Sequence, residues 1–246
     1  MSGKPAWGDG TVTAGTLLGG RVQYAQLVAG YRTGIEPVLL AASLKLAPGA
    51  RVLEAGTGAG AGLLCLAARV AGITGVGVEI DPDLAELARA NAAANRAQIT
   101  ILTADILARA LDGPFDHAFA NPPWHNATST PSAEPGRARA KIAQPGLTAQ
   151  WVAAMARVVR PRGTVQLILP ACRALEGAAA LAGNRCGGID ILPLWPRAGR
   201  QAKLIILRGV VGGRGATRVL PGLILHGADG YTEAADAVLR DGAALG

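Results

Sequence analysis

Short apolar runs alternate with longer Ala- and Leu-rich segments from about residue 50 onward. The short runs have the length of strands, and the longer segments have the length and composition of helices. This alternation is typical of an α/β fold whose largely parallel sheet is covered by helices on both faces. We therefore predict strands near residues 51–55, 75–80, 99–103, 115–120, 164–169, 189–192 and 203–210.

Helices are predicted in most of the intervening segments. Pro82 and Pro145 suit the first turn of a helix, where the missing N–H has no partner to lose. The polar segment 125–144 is too long for an ordinary connection and is predicted to be a functional loop or a partly disordered segment. Without a linker or a repeat, we expect an N-terminal extension over 1–33 and one catalytic domain over 34–246. The predicted helices span 35–46, 60–71, 82–96, 145–160, 170–182 and a capped C-terminal helix after Tyr231.

The composition excludes several classes of protein. Of the 246 residues, 50% are hydrophobic, which is too many for a disordered chain. No apolar stretch is long enough to span a membrane or to serve as a secretion signal, so a cytoplasmic protein is expected. The three cysteines form no C-x-x-C pair and have no histidine at ligand spacing, so neither disulfides nor a metal site are expected.

The positive charge is concentrated in one part of the chain. The formal net charge is +7, but residues 135–228 hold 14 Lys and Arg against 2 Asp and Glu, for +12. The two flanking parts are acidic, at −2 for residues 1–134 and −3 for residues 229–246. Such a segment favours binding to a polyanion, because each neutralised phosphate releases counterions. The alternative is a solvated arginine-rich surface.

A glycine-rich loop follows the first predicted strand. Gly56, Gly58 and Gly60 let the backbone turn sharply and approach a ligand closely. The spacing also satisfies the dinucleotide fingerprint G-x-G-x-x-G/A, so the loop alone leaves the ligand open. Glu54 lies at the strand end, where a carboxylate suits a cationic ligand better than a pyrophosphate. The ammonium group of S-adenosylmethionine (SAM) is such a ligand.

Two further acids follow the next strands. Glu79 ends the second strand, at the edge where open α/β sheets bind ligands, and can accept both hydroxyls of a ribose. Asp105 follows the third strand and can accept the amino group of an adenine. Each acid singly is as readily a loop residue or a helix cap. Three acids at three successive strand ends favour a SAM site.

The fourth strand runs into Asn121-Pro122-Pro123-Trp124. A turn after a strand would account for the Asn-Pro pair. A functional interpretation uses every residue: the Asn121 side-chain oxygen and the Pro122 carbonyl accept the two N–H groups of an amine, and its lone pair is directed at the methyl donor. The prolines fix that carbonyl, and Trp124 offers a face on which a base can stack.

These motifs resemble those of SAM-dependent amino-methyltransferases. Segment 30–42 is similar to the corresponding segment of bacterial adenine-N6 methyltransferases that act on the anticodon loop of valine tRNA. Segments 193–197 with 202–203, and 221–226 through 239–242, resemble the C-terminal segments of the alphaproteobacterial branch of that group. The resemblance implies the Rossmann-like, seven-stranded class I methyltransferase fold, mostly parallel with the last strand antiparallel. It also implies SAM as cofactor and tRNA as partner, with no metal or membrane, and leaves the oligomeric state open.

The resemblance and the charge pattern together assign the site residues. The target base is expected at Asn121, Pro122, Pro123 and Trp124. The residues expected to contact the cofactor are Arg32, Thr33, Glu54, Gly56, Gly58, Gly60, Glu79, Ile80, Asp105 and Ile106. The residues expected to contact RNA are Arg137, Arg139, Lys141, Arg197, Arg200 and Lys203.

The expected reaction is methyl transfer to adenine N6 in tRNA by direct displacement. Trp124-His125 stands where the family usually has Tyr or Phe and is similar to ribosomal guanine-N2 methyltransferases, which leaves the base open. Glu36 and Glu54 stand where Asp is usual. Protein glutamine-N5 methylation shares the Asn-Pro-Pro element but comes with a helical N-terminal domain. DNA methylation, a binding module without activity and a nicotinamide oxidoreductase fit less well.

Overall fold

The computed structural model describes residues 12–28, 33–123 and 146–245, and its centre is a mixed β-sheet. The strands, in chain order, are β1 (Val12–Leu17), β2 (Val22–Leu27), β3 (Arg51–Ala55), β4 (Thr74–Glu79), β5 (Ile99–Thr103), β6 (Phe115–Ala120), β7 (Val159–Pro170), β8 (Cys186–Arg197), β9 (Leu204–Val211), β10 (Arg218–Val219) and β11 (Leu223–His226). The helices are α1 (Glu36–Ser43), α2 (Ala61–Arg69), α3 (Pro82–Ala94), α4 (Leu147–Val158), α5 (Ala174–Gly183) and α6 (Glu233–Arg240).

The central sheet has the order β10-β8-β9-β7-β6-β3-β4-β5, and β11 pairs with β8. Strands β3 to β7 are parallel to one another, whereas β9 runs antiparallel between β7 and β8. The seven predicted strands correspond to β3 to β9, so the predicted fold class is confirmed. The sequence pattern missed β10 and β11, which have only two and four residues in their strands.

The predicted helices are present with small shifts at their ends. The segment predicted as a helix over 170–182 begins with a 3-10 turn, Ala171–Arg173, before α5. The C-terminal helix α6 is capped by Thr232, whose hydroxyl accepts a hydrogen bond from Ala235 N–H. Helices cover both faces of the sheet, because alternate residues such as Val52 and Leu53 enter two different apolar clusters. No helix in the described ranges is long and apolar enough to cross a membrane.

The segment predicted as an N-terminal extension contains an antiparallel hairpin, β1–β2. Val22, Tyr24 and Ala25 of β2 are buried against the core that α1 and α2 build. Asn91 of α3 is fully buried, accepts from Ala25 N–H at 2.8 Å and donates to Ala25 O at 2.9 Å. The same amide donates to Ala59 O in the glycine loop at 2.8 Å. One side chain therefore joins the hairpin, α3 and the loop.

We expect Asn91→Ala to destabilise the protein by about 2 to 4 kcal/mol, because three buried backbone groups lose their partner. The measurement is urea unfolding followed by far-UV circular dichroism. Glu86→Ala on the same helix is the control, since Glu86 is largely exposed and its ion pair with Arg89 is a surface pair. A loss for Asn91→Ala no larger than for the control would contradict the structural role of Asn91.

Candidate active site

The carboxyl ends of β3, β4, β5 and β6 lie side by side at one edge of the sheet. Ala55, the last residue of β3, pairs with Val78 on β4 and with Ala120 on β6. Gly56 and Asn121 therefore leave neighbouring strands at the same height. The chain passes from β3 to β4 and β5 on one side and to β6 on the other, which makes this the topological switch point where α/β sheets bind ligands.

The glycine loop is folded as its composition predicts. Gly56, Gly58 and Gly60 have φ of 67°, 55° and 90°, in the left-handed region that other residues rarely adopt. The N–H groups of Gly56 and Thr57 both donate to Val78 O, at 2.8 and 3.1 Å. A Cβ at Gly58 would meet no heavy atom within 4 Å, so the loop has open space on this side.

Glu54 is buried between the glycine loop and α2 and is not exposed on the ligand side of the loop. Its Oε2 accepts from the Thr57 hydroxyl at 2.6 Å and from Leu63 N–H at 3.2 Å, and only 4% of the residue is exposed. Burial raises the pKa of Glu54 to about 8, although the two hydrogen bonds oppose the shift. In the structure, Glu54 therefore joins the loop to α2. Direct contact with a cofactor stays a prediction.

Gly62 is a residue of this region that the sequence analysis missed. A Cβ at Gly62 would lie 2.2 Å from Glu54 Oε1 and 2.9 Å from the Phe119 ring. Only glycine leaves room for the buried carboxyl group. No sequence signal marks this need, because Phe119 comes from a strand 57 residues further along the chain.

Glu79 holds the loop from the next strand. Its Oε2 accepts from Gly58 N–H at 2.8 Å, and its Oε1 accepts from Asp81 N–H at 3.0 Å. Burial raises the pKa of Glu79, and the backbone donors, including Ile80 N–H, lower it. The Ile80 side chain is 55% exposed at this edge. Glu79 thus lies at the predicted ligand edge with an exposed apolar side chain beside it.

Asp105 is exposed and follows β5 at the same edge. Its Oδ1 accepts from Leu107 N–H at 2.9 Å, so in the structure it closes the turn after the strand. Ile106 is buried, with 4% of the residue exposed. Contacts of both residues with a cofactor stay predictions.

Asn121, Pro122 and Pro123 lead away from β6 at the end of the described segment. Thr33 is held by the N-terminal hairpin: its hydroxyl lies 2.6 Å from the Tyr24 hydroxyl, and its N–H donates to Gln26 Oε1 at 3.1 Å. The other predicted contacts on these segments, Arg32, Trp124, Arg137, Arg139 and Lys141, lie outside the described residues.

Trp151 of α4 packs against the glycine loop. It is partly buried in the core between α4 and the sheet. Its ring also reaches the loop, because a Cβ at Gly56 would lie 2.7 Å from Trp151 Cη2. Helical spacing does not reveal this second contact, which brings an aromatic ring to the site.

The donor and acceptor set fits SAM. Among the described residues, Glu36 Oε2 is the one buried side-chain oxygen or nitrogen that lacks a hydrogen-bond partner. Glu36 begins α1, and Ser43 at the other end of this helix accepts a hydrogen bond from Gln166 of β7. An unpaired acceptor, the carboxylate of Glu79 and an open glycine loop suit a ligand that carries an ammonium group and ribose hydroxyls.

Comparison with known proteins identifies the family. The model of the methyltransferase small domain matches residues 35–135. The tRNA1(Val) (adenine(37)-N6)-methyltransferase of Aeromonas hydrophila is 30% identical over 203 residues, which cover 81% of this chain and 84% of the relative. The chain belongs to the methyltransferase family of these two matches, the methyltransferase small domain and the tRNA1(Val) (adenine(37)-N6)-methyltransferases. The enzyme of the same name from Aeromonas salmonicida is 31% identical, with the same two coverages.

Solved structures agree on the fold. A crystal structure from Agrobacterium tumefaciens, named as a predicted O-methyltransferase, has a TM-score of 0.70 at 27% identity and covers 85% of this chain and 97% of that chain. The 16S rRNA N2 G1207 methyltransferase of T. thermophilus, solved with AdoMet and guanosine, has a TM-score of 0.56 at 22% identity, covering 81% of this chain and 50% of its own. This protein is a SAM-dependent methyltransferase with the class I fold.

The glutamine methyltransferase alternative has weaker support. The release factor glutamine methyltransferase of Rhodospirillum rubrum is 38% identical, but over only 92 residues. These cover 37% of this chain and 28% of the relative. The two Aeromonas relatives match more than twice that length, which favours the adenine-N6 methyltransferase family.

We expect Gly56→Ala to weaken SAM binding at least tenfold, a loss of about 1.4 kcal/mol. The added methyl group would lie 2.7 Å from the Trp151 ring, at a φ of 67° that disfavours alanine. Isothermal titration with SAM gives the affinity. Gly49→Ala is the matched control, because Gly49 has a φ of 79° but no heavy atom within 4 Å of its Cβ position. Equal losses of SAM affinity in the two variants would contradict the predicted contact of Gly56 with the cofactor.

We expect Glu54 to make the stability of the protein fall as the pH rises. Its pKa moves from 4.5 in the unfolded chain to about 8 in the fold, so its stabilising contribution is complete below pH 4.5 and is lost as the pH rises through 8. The loss amounts to roughly a few kcal/mol. Urea unfolding of the native protein and of Glu54→Gln, at several pH values from 5 to 9, measures it.

The Glu54→Gln variant keeps a neutral side chain of the same shape, so its stability should depend less on pH. Glu79 remains in both proteins and cancels from the comparison. Parallel stability curves for the two proteins would show that Glu54 does not titrate in this range.

Proposed function

We propose that this protein transfers the methyl group of SAM to N6 of an adenine in tRNA, with the anticodon loop of valine tRNA as its substrate. The proposal rests on one observation above all: relatives named for this activity match about four-fifths of both chains. The position of Asn121 supports it, since the residue leaves β6 directly beside Gly56 of the glycine loop. The family's substrate is an unpaired loop, and an unpaired base is easier to bring into a pocket than one in a duplex.

The proposed chemistry needs an amine held next to a methyl donor. SAM supplies the methyl group on a sulfonium, which becomes a thioether when the methyl group leaves. The Asn121 side-chain oxygen and the Pro122 carbonyl each accept one N–H of the adenine amino group. This draws the nitrogen lone pair out of conjugation with the ring and directs it at the methyl group. The two prolines hold the accepting carbonyl in place with a restricted backbone, and Trp124 stacks on the base.

The cofactor residues divide by position. We assign Thr33, with Arg32, to the methionine end of SAM, next to the hairpin. Gly56, Gly58 and Gly60 line its path, and Glu54 supports them from below. Glu79 uses its two carboxylate oxygens for the ribose, because each oxygen can accept a second hydrogen bond beside the backbone donor it already has. Asp105 binds the adenine amino group, between the flanking Ile80 and Ile106.

Basic side chains supply the RNA contacts. Arg197, Arg200 and Lys203 are exposed around the β8–β9 turn, which lies at the same edge of the sheet as Asn121. We assign Arg137, Arg139 and Lys141 to the substrate as well, because they follow Asn121 closely in sequence. The proposed displacement uses no metal ion, and the catalytic domain spans 34–246.

The decisive experiment is incubation with isotope-labelled SAM and unmodified tRNA, followed by nuclease digestion and nucleoside mass spectrometry. We expect labelled N6-methyladenosine. Labelled N2-methylguanosine, or label only in ribosomal RNA or in protein, would overturn the proposed substrate.

We expect Asn121→Ala to lower the rate of this reaction at least about a hundredfold while leaving the SAM affinity within about twofold, because Asn121 acts on the methyl acceptor. Asn184→Ala is the control, since Asn184 caps the C-terminal end of α5 and its side-chain amide donates to Ala180 O at 2.9 Å. Full activity in Asn121→Ala would contradict the mechanism.

A further inference from the structure

The loop between β11 and α6 presents an aromatic pair. His226 and Tyr231 form an antiparallel bridge, and their rings stack with centroids 4.8 Å apart and planes 19° from parallel. The loop is closed by Gly227 N–H donating to Gly230 O and by Thr232 N–H donating to Leu225 O, both at 2.9 Å. Tyr231 remains 40% exposed. A closed loop thus holds a stacked pair with one ring open to solvent.

Arg197 lies next to this pair. Strand β11 runs parallel to β8 with His226 in register with Arg197, and the Arg197 guanidinium donates to Gly227 O. The turn that follows β8 is closed by Arg200 N–H donating to Arg197 O at 3.2 Å, so the Cα atoms of these two arginines lie within about 7 Å. Lys203 ends the same connection. We call Arg197, Arg200, Lys203, His226 and Tyr231 the distal surface.

The cations of the distal surface differ from several arginines of the basic segment that pair with acids. They differ by their edge of the sheet from Arg162, Arg185 and Arg214, which are exposed near the opposite edge. Arg208 and Arg218 both pair with Asp190, and Arg160 pairs with Asp116. Arg197, Arg200 and Lys203 have no carboxylate partner within the described ranges. Asp229, in the closed loop, is a nearby acid by sequence. The three cations therefore keep their charge available for an external anion.

The distal surface shares an edge with the active site but lies away from it. Leu194 of β8 pairs with Leu204 at the start of β9, and Leu204 pairs with Pro170 at the end of β7. Four strand spacings of about 4.8 Å separate β11 from β6, which places the aromatic pair about 19 Å from Asn121. The three cations lie at the β8–β9 turn, two to three spacings from β6, or about 10 to 14 Å. At about 3.4 Å per stacked nucleotide, these distances correspond to about three to six nucleotides.

We infer that the distal surface binds the same RNA as the active site, at nucleotides about three to six away from the methylated base. The inference rests on the proposed function. The cations bind phosphates, and the exposed face of Tyr231 packs against a base or a ribose. The enzyme thus recognises its substrate by a second contact on flanking nucleotides, and the target base with its immediate neighbours is an incomplete substrate.

The test compares charge reversal at two edges of the sheet. The double variant Arg200→Glu/Lys203→Glu should raise the KM for full-length tRNA about tenfold and lower the slope of log affinity against log salt by about two, one for each lost phosphate contact. The matched control is Arg185→Glu/Arg214→Glu, which makes the same change in net charge at two exposed residues of the opposite edge. The control variant should leave the KM for tRNA and the salt slope unchanged.

Tyr231→Val separates stacking from charge. Valine keeps a residue that suits the bridge to His226 but removes the ring, so the KM for tRNA should rise several-fold while the salt slope stays the same. A thermal unfolding curve for each variant shows that the fold is intact. Unchanged KM and salt slope in both distal variants, or equal effects in the opposite-edge control, would overturn the inference.

The two proposals fail in different ways. If the native enzyme methylates no tRNA, the proposed function is wrong, and direct tRNA binding by filter retention still tests the distal surface. If the native enzyme methylates tRNA and the distal variants match it in KM and salt slope, only the second contact is wrong.

Discussion

Two buried carboxyl groups hold the glycine loop, and the arrangement of the active site depends on them. Glu54 reaches up from β3 to Thr57 and to the backbone of α2, while Glu79 reaches across from β4 to Gly58. Neither acid gains its hydrogen bonds without burial, and burial opposes the charged form of both. The loop is thus fixed by groups that lose hydration when the protein folds, and the backbone donors of the loop compensate for that loss.

The reversed strand β9 determines where the basic residues lie. Because β9 runs antiparallel between β7 and β8, the turn from β8 to β9 returns to the edge where the parallel strands end. Without that reversal, the connection would lie on the face of the sheet, as parallel crossovers do. One edge therefore carries the glycine loop, Asn121 and the cations of the β8–β9 turn. At the opposite edge, Arg160 and Arg218 are paired with acids, and Arg185 and Arg214 are exposed.

The sequence predicted the elements whose signal is local. Buried parallel strands appear as continuous apolar runs, so β3, β5 and β6 were predicted with their observed ends. The hairpin β1–β2 was missed because most residues of β1 are exposed and β2 is held by Asn91, 66 residues away. The positions of Glu79 and Asp105 at the ligand-binding edge of the sheet were predictable, because both residues come at the ends of predicted parallel strands. The burial of Glu54 and the contact of Trp151 with Gly56 depend on residues distant in sequence, and no spacing reveals them.

The amide of Asn91 has a consequence for motion as well as for packing. Its nitrogen donates to Ala25 O in the hairpin and to Ala59 O in the glycine loop, so separation of the hairpin from the core would leave a buried amide and a loop carbonyl unpaired. Local opening of the hairpin therefore also costs free energy at the glycine loop. The hairpin and the loop form a single cooperative opening unit, and their backbone amides exchange hydrogen with solvent through the same event.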